Sequence, residues 1–592
     1  MRSLGATTYD VAIMGGGPAG SSLAARLARD TDLRVAIFET DRFPREHIGE
    51  SLASPIIPCL QESGALPRVL QSQCYVVKAG GYYSWDPTAP TAAFFRHHLW
   101  ERDGYHRWSL HVNRAEFDQI LLDHARDCGV AVFQNQSVRR VISEDQQVQV
   151  HLADRNVATC RIFVDASGRM NGVGAGGKKA WLSSYRNVAI WGHFSGGKPA
   201  QSVTGEWNIF RERNLSPIGC FAFPDGWCWY IPVPQQVQGR RVLTHSLGIV
   251  TDPRVLKQPG KRYTEADCFL KAVRQIPLLR DLITDAQPLY RRLRTATNYS
   301  MISAEMCNFD EKWILVGDAA FFVDPLFSSG VSFALLQAAA AAEVIKASFD
   351  LGVAPNLKRE LWRDYTELWR VTAHAFALTI DQWYAAIAHD NPDSIYWNER
   401  ASNRTFETRM ESFNWVLDTD FSGDLLHVVT KGTNKLSSLE QDGALLRTLR
   451  LLMEREPEAN CAITLKPGVE ITESLSVSPH VIEVCGPPVH EKPSAFTHGP
   501  YWQDPARYAD DVQPQCPPPR RCFRFNIDRP DYPLSVRFSD LNEATDLYNR
   551  LRDERPTYGR LQQELTAAQW LLLHHLLLTD MLVIEESARS CV

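Results

Sequence analysis

The chain has 592 residues, and single hydrophobic cores rarely grow beyond about 250–300 residues, so two or three domains are expected. Hydrophobic residues at 44% and charged residues at 22% are ordinary for a globular protein, and a net charge of -6 leaves no basic footprint for nucleic acid. The first residues, MRSLGATTYDVAIMGGG, pass straight into a strand without a basic segment and apolar stretch, so nothing marks the chain for secretion. The apolar run Trp570 to Ile584 holds His574, His575 and Asp580 and falls short of the roughly 20 residues of a membrane span, so it reads as a buried helix. The 13 cysteines include no C-x-x-C pair. Cys516 and Cys522 bracket a proline-rich turn and are expected to stay reduced in a cytoplasmic protein.

Tyr9 to Met14 reads as a short buried strand, followed by glycines, a helix over Ser21 to Arg29 and a second strand over Arg34 to Glu39. Phe117 to Cys128 reads as a helix, with alternating strands continuing to Val164. Several alternating strands between Trp181 and Val250 suggest a sheet, about 181–290, that covers a substrate pocket. Ile314 to Val316 is a further buried strand, and the alanine-rich Val331 to Phe349 is a helix. These define a core over 1–355. Residues 356–592 read as a mainly helical C-terminal region, irregular through the proline-dense Pro487 to Pro530. A small terminal module from about 535 would hold the helical stretch Leu541 to Glu586.

Gly15, Gly17 and Gly20 form G-x-G-x-x-G between the first strand and the first helix, with Ala19 beside the last glycine. Glycine allows a tight turn, close approach of the backbone to a pyrophosphate, and close packing of helix on strand. The helix N-terminus adds free N–H groups and partial positive charge. Glu39, 24 residues past Gly15, ends the second strand, where an acid accepts from a ribose hydroxyl. Strand, helix and acid together indicate a dinucleotide site in a Rossmann-type βαβ unit. Lys312 to Phe322, KWILVGDAAFF, resembles the G-D motif of glutathione-reductase-type flavoproteins, which makes Asp318 the candidate contact to the ribityl chain and FAD the cofactor. Val164 to Arg169 resembles the strand and turn near the cofactor in such folds, and Arg114 and Asp118 in HVNRAEFD resemble the R-x-x-F-D segment of the aromatic hydroxylase superfamily. Each alone fits an ordinary turn or a surface ion pair.

Two features bear on what the flavin does. In Trp227-Cys228-Trp229-Tyr230-Ile231-Pro232, strand alternation puts Trp227, Trp229 and Ile231 on one face and Cys228 and Tyr230 on the other. As a pattern this fits plain core as well as a wall. Lys78, in YVVKAGGYYSW, follows an apolar strand and precedes Gly80 and Gly81, so it fits the pocket side of a strand as well as a solvated surface. The W-x-W-x-I-P sequence is the signature of flavin-dependent halogenases, and the Lys78 segment resembles the strand carrying that family's essential lysine. Phe43-Pro44-Arg45, Ile48-Gly49-Glu50-Ser51 and Asp324-Pro325-Leu326-Phe327-Ser328-Ser329-Gly330-Val331 are similar to further family stretches, so the resemblance covers about residues 8 to 350.

The resemblance is nearest to halogenases acting on phenols or pyrroles, free or tethered to an acyl or peptidyl carrier protein. It implies an α/β fold of the glutathione-reductase and aromatic-hydroxylase type, with a Rossmann-type βαβ unit and an antiparallel substrate sheet. It implies reduced FAD delivered by a separate flavin reductase, with O2 and chloride or bromide. Arg45, Ser51, Arg114, Pro325, Gly330 and Val331 join the glycine turn, Glu39 and Asp318 as candidate FAD contacts. Backbone N–H groups around Ser329 and Gly330 would hold the halide. Trp227, Trp229, Ile231 and Pro232 would separate flavin from substrate, while hypohalous acid passes to Lys78. Glu50 would act as a base toward substrate or position Lys78. Tryptophan-type members carry a glutamate where this chain has Phe327, so their acid–base pair is not copied here. Relatives that attach FAD covalently use an aspartate, and the matching Thr295-Ala296-Thr297 has none, so non-covalent FAD is expected. The alternatives are an aromatic monooxygenase, a flavin-dependent reductase of prenyl chains, and a silent flavin scaffold whose C-terminal half binds a partner.

Overall fold

In the computed structural model the described residues are 8–53, 56–84, 91–94, 109–144, 147–170, 179–182, 186–208, 216–290, 292–297, 299–388, 393–398, 457–478, 516, 518–527, 535–579 and 581–585. The chain divides into two compact units, Met1–Ala342 with Ile380–Asp420 and Lys492–Gln515, and Glu343–Thr379 with Phe421–Glu491 and Cys516–Val592. The long helix Pro355–Ala388 begins in the second and ends in the first. A single boundary at 355 therefore does not describe the chain, because Tyr396 and Trp397 pack edge-on around Tyr384 and Trp397 donates its indole N–H to the carbonyl of Phe223.

The first unit is built on an eight-stranded sheet whose centre is parallel. Thr8–Met14 lies between Val35–Glu39 and Val157–Asp165, with Ala131–Gln134 and Trp313–Leu315 outside them. Parallel strands are covered on both faces, which is why Val11, Ala12, Ile13 and Val35 to Phe38 are buried without alternation. The helix Pro18–Asp30 starts with Pro18 in its first turn, where the missing N–H costs nothing, and buries Leu23, Ala24 and Leu27.

A nine-stranded sheet faces this layer's cofactor edge. It is antiparallel except where Ser216–Phe223 runs parallel to Tyr75–Ser84. It is also wider than 181–290: Tyr75–Ser84, Thr91–Phe94, Ser109–Val112 and Arg294–Thr297 belong to it, joined by pairings that no local pattern announces. Its outer face buries Tyr82, Phe221, Cys228, Tyr230 and Ile249 against the helices Ala266–Val273 and Pro277–Ile283.

The second unit contains two small sheets among its helices, Ala462–Leu465 with Leu582–Glu585, and Val469–Ser476 with Arg520–Ile527 and Val536–Phe538. Strand Arg520–Ile527 lies inside the stretch expected to be irregular, and the buried helix expected over Trp570 to Ile584 is Ala567–Leu578, with Leu582–Glu585 a strand instead. Asp364 and Glu367 form a buried cluster with Arg524 and Arg537, and the carboxylate of Asp364 also accepts from the N–H groups of Val477 and Ser478. Such a cluster is costly to break one partner at a time. Cys516 and Cys522 carry free thiols. Gly330–Phe349 is the one described helix long and apolar enough to cross a membrane, and most of it is buried within the fold.

Glycine is required at two points of the first turn. Gly15 has φ +105° and sits against the carbonyl of Ala166, and a Cβ on Gly20 would lie 2.0 Å from the oxygen of Gly15. A Cβ on Gly17 would meet only the Arg45 guanidinium, at 3.4 Å. Gly20→Ala is therefore expected to destabilise the protein by about 2 kcal/mol or more, while Gly17→Ala stays within about 0.5 kcal/mol of wild type. Urea unfolding of the two apoproteins checks this, and equal losses would contradict the packing role.

Candidate active site

A cavity of about 690 Å³ opens along the C-terminal ends of the parallel strands, where open α/β sheets bind ligands. Gly15, Gly17, Ala19 and Glu39 line one part of it, with Arg45, Ser51, Arg114 and Asp318 around them. Pro325, Ser328, Gly330 and Val331 line another part, and Trp227, Trp229 and Ile231 close it from the nine-stranded sheet. Gly20 is absent from the lining, since its place is under the turn.

The residues present fit FAD. Glu39 accepts from the N–H of Gly16 at 2.6 Å and of Asp41 at 2.8 Å, which pins its carboxylate at the strand end with lone pairs left for a ribose. Gly17 caps the first helix without a side-chain bond, so the helix N-terminus faces the cavity uncovered. Asp318 sits in the turn Gly317–Ala319, and the N–H of Gly317 is held by the side-chain oxygen of Gln337 at 2.9 Å. Ala296 lines the same cavity.

Arg114 borders the cavity, and four of its five N–H donors are committed within the protein. Nε and Nη2 bind Asp118 at 2.8 and 2.9 Å, and Nη1 binds the carbonyls of Ile48 and Gly49 at 2.6 and 3.1 Å. A fork held this way shapes the loop before Glu50. From Glu50 the chain runs extended beside Ser109–Val112: Val112 donates to the Glu50 carbonyl and Leu52 to the Leu110 carbonyl.

Glu50 is buried, and its Oε1 lies 2.5 Å from His193 Nε2 on the strand Val188–Ser195. Burial works against a charged His193, yet the charge and hydrogen bond of Glu50 together outweigh it and raise the pKa above the ordinary value. Glu50 is thus paired with His193 on the cavity side, and its link to Lys78 runs through the main chain. His193 went unnoticed in the sequence, although it follows the cavity-lining Ala189 and Trp191 at strand spacing.

Lys78 is fully buried, and its Nζ donates to the carbonyl of Leu52 at 2.8 Å. Its strand carries a bulge: between the pairs Ser216↔Lys78 and Ile218↔Gly81, two residues (79 and 80) stand against one (217). The extra residue turns Lys78 onto the face that holds Tyr83, Cys220 and Trp229, opposite the face of Tyr82. Lys78 is nevertheless not part of the cavity lining. Next to it, the thiol of Cys220 donates to the carbonyl of Leu326 at 3.8 Å, and the rings of Tyr83 and Phe327 lie 5.9 Å apart. The turn 324–330 thus borders the cavity through Pro325, Ser328 and Gly330 and the lysine's neighbours through Leu326 and Phe327.

The wall follows strand alternation. Trp227, Trp229 and Ile231 face the cavity, while Cys228 and Tyr230 lie in the outer core. The rings of Trp227 and Trp229 are 6.1 Å apart. Gly248 lies opposite Trp229, and a Cβ there would come within 2.1 Å of its indole. Pro232 faces the outer side with His245 and does not line the cavity. Ser329 is buried and its carbonyl starts the helix by accepting from Phe333, whereas Ser328, at φ +61°, and Gly330 line the cavity.

A glycine turn under a parallel sheet, with a second sheet closing the cavity, defines a flavoprotein of the aromatic-hydroxylase architecture. The family model described as tryptophan halogenase matches residues 101–416. The chain is 28% identical over 379 residues to a tryptophan 2-halogenase of Chondromyces crocatus, spanning 62% of this chain and 67% of that protein. It is 30% identical over 362 residues to a 1H-pyrrole-2-carbonyl peptidyl-carrier-protein chlorinase of Pseudomonas fluorescens, spanning 57% and 76%. The solved structure of the myxobacterial chondrochloren halogenase, described as a variant of FAD-dependent halogenases, aligns at 26% identity with a TM-score of 0.57, covering 70% of this chain and 90% of that one. The chain belongs to the tryptophan halogenase family: it is a flavin-dependent halogenase, using reduced FAD, O2 and a halide to halogenate an aromatic substrate. The monooxygenase reading is not favoured by these matches.

Burial lowers the Lys78 pKa from its ordinary 10.5 to about 7. Between those values the unfolded chain binds a proton that the folded chain does not, so stability rises with pH across that window. The destabilisation is fully present below about pH 7. Lys78→Met removes it, so the variant's thermal midpoint should exceed that of wild type most at pH 6, with the gap shrinking toward pH 10. Calorimetry at several pH values checks this, and a gap that widens with pH would contradict a buried, low-pKa lysine.

Proposed function

We propose that this halogenase forms hypohalous acid in the cavity and transfers the halogen to an electron-rich ring through Lys78. The ring is a phenol or pyrrole, free or bound to an acyl or peptidyl carrier protein. A separate flavin reductase supplies the reduced FAD, held non-covalently. The cofactor's contribution is the two-electron oxidation of halide with O2. The observation that carries the reading is the fully buried Lys78, aimed by the bulge onto the wall's face of the sheet yet outside the cavity lining.

The turn of Gly15, Gly17 and Ala19 would hold the pyrophosphate, Glu39 a ribose and Asp318 the ribityl chain, with Arg45 and Ser51 alongside. Arg114 contributes by shaping the loop rather than by binding. Backbone N–H groups at Ser329 and Gly330, where the helix Gly330–Phe349 begins, would hold the halide. Trp227, Trp229 and Ile231 exclude water and organic substrate from the cavity, so that only a small oxidant crosses. The Glu50–His193 pair holds a proton between Oε1 and Nε2 at the cavity side.

With its pKa near 7, Lys78 is largely a neutral amine above neutrality and a competent nucleophile. Its Nζ attacks the halogen: an N–X bond forms, the O–X bond breaks, and the departing hydroxide takes a proton from nitrogen to leave as water. Attack by the ring then forms C–X and breaks N–X, and the ring proton passes to the nitrogen, restoring the neutral amine. The carrier-bound arm is supported by the relative from Pseudomonas fluorescens, a chlorinase of a carrier-bound pyrrole.

The test is turnover with a flavin reductase, chloride or bromide, and a panel of phenols and pyrroles in free and carrier-bound form, read by mass spectrometry. Lys78→Ala should still oxidise reduced flavin while halogenated product falls on the order of a hundredfold or more. Product yield per flavin in wild type should rise as pH passes 7. Undiminished product from Lys78→Ala, or hydroxylated product in its place, would overturn the proposal.

A further inference from the structure

Trp227 does not stand in the wall by packing alone. Its Nε1 donates to the hydroxyl of Tyr384 at 2.9 Å, and that hydroxyl is 2.9 Å from Oδ2 of Asp324. An indole can only donate, so the tyrosine oxygen accepts from Trp227 and its own proton goes to Asp324. The direction of the chain is thereby fixed. Asp324 opens the turn that runs on to Gly330, and its Oδ1 accepts from the N–H of Leu326 at 3.0 Å while Oδ2 also accepts from Asn187 at 3.1 Å. Trp227, Tyr384 and Asp324 are each 1% exposed, so water offers no substitute partner. Tyr384 is fixed from behind by Trp397 and Tyr396, whose rings meet it edge-on at 5.8 and 6.1 Å.

One hydroxyl, contributed from near the end of the long helix, therefore ties together the two parts of the partition between cavity and lysine. We propose that Tyr384 is a positioning residue that locks the tryptophan wall to the Asp324–Gly330 turn, so that oxidised halide leaves the cavity toward Lys78 rather than to solvent. This rests on the separating role assigned above to Trp227. Without the hydroxyl, the indole N–H and the carboxylate each lose a buried partner, a loss large enough to displace one of them. The wall and the turn would then move independently, and the passage between them would leak.

Tyr384→Phe keeps the ring and removes both bonds. In the apoprotein, hydrogen exchange over the Asp324–Gly330 peptide should quicken and the thermal midpoint fall by a few degrees, while FAD affinity holds. In turnover, flavin oxidation should keep its rate while halogenated product per flavin falls several-fold, with the missing oxidant recovered as free hypohalous acid by a soluble diketone trap. Full coupling in Tyr384→Phe overturns the proposal whatever the exchange shows. If Tyr384→Phe does not fold, Trp227→Phe breaks the same bond from the other side, and full coupling there overturns it equally. Trp227→Ala separates the two readings. If it stays coupled, the wall itself is not a barrier; if it uncouples while Tyr384→Phe does not, only the role of Tyr384 fails. Loss of coupling in Tyr384→Phe and Trp227→Phe that does not add in the double variant supports the shared bond.

Discussion

One extra residue in the strand Tyr75–Ser84 decides which face of the nine-stranded sheet carries Lys78. Side chains alternate across a strand, so a single bulge exchanges the faces of everything beyond it. In regular register Lys78 would share the outer face with Tyr82, among the helices that close the sheet from behind. With the bulge it lies on the face of Cys220 and Trp229, next to the turn that also borders the flavin cavity. Burial there lowers the amine's pKa to about 7, as the proposed nucleophile requires.

The same few residues serve both compartments. Glu50 and Ser51 border the cavity, and one residue later the carbonyl of Leu52 holds the lysine. Arg114 fixes the start of that segment through two carbonyls and the Asp118 carboxylate, so a helix N-terminus sets both sides at once. The turn 324–330 works in parallel, with Pro325, Ser328 and Gly330 on the cavity side and Leu326 and Phe327 on the other. A fold that generates a diffusible oxidant needs a thin partition with rigid supports, and both supports here are short segments held by buried hydrogen bonds.

Features that depend on local chemistry were legible in the sequence. The glycine turn, Glu39, the helix expected over Phe117 to Cys128 and found over Arg114–Asp127, and the facing of Trp227 and Trp229 follow from spacing and side-chain alternation. What depends on distant pairing was not legible. The bulge exists only because Tyr75–Ser84 pairs with Ser216–Phe223, and His193 matters only because that sheet brings it to Glu50. The left-handed backbone at Ser328 and the burial of the Ser329 side chain likewise follow from no local pattern. Tyr384 lies in a helix with no family motif, and its importance is visible only through its two partners. In the second unit, short strands such as Ala462–Leu465 are too brief for their pattern to stand out among helices.

The central claim is that oxidation of the halide and halogenation of the ring occur on opposite sides of a wall, joined by Lys78. The most direct measurement is an order-of-addition experiment. The enzyme turns over with reduced FAD, O2 and bromide but no organic substrate, is freed of flavin and halide by rapid gel filtration, and only then meets the aromatic substrate. The account predicts brominated product from the flavin-free protein, up to about one equivalent, and none from Lys78→Met. Product that forms only when flavin and substrate are present together would contradict it.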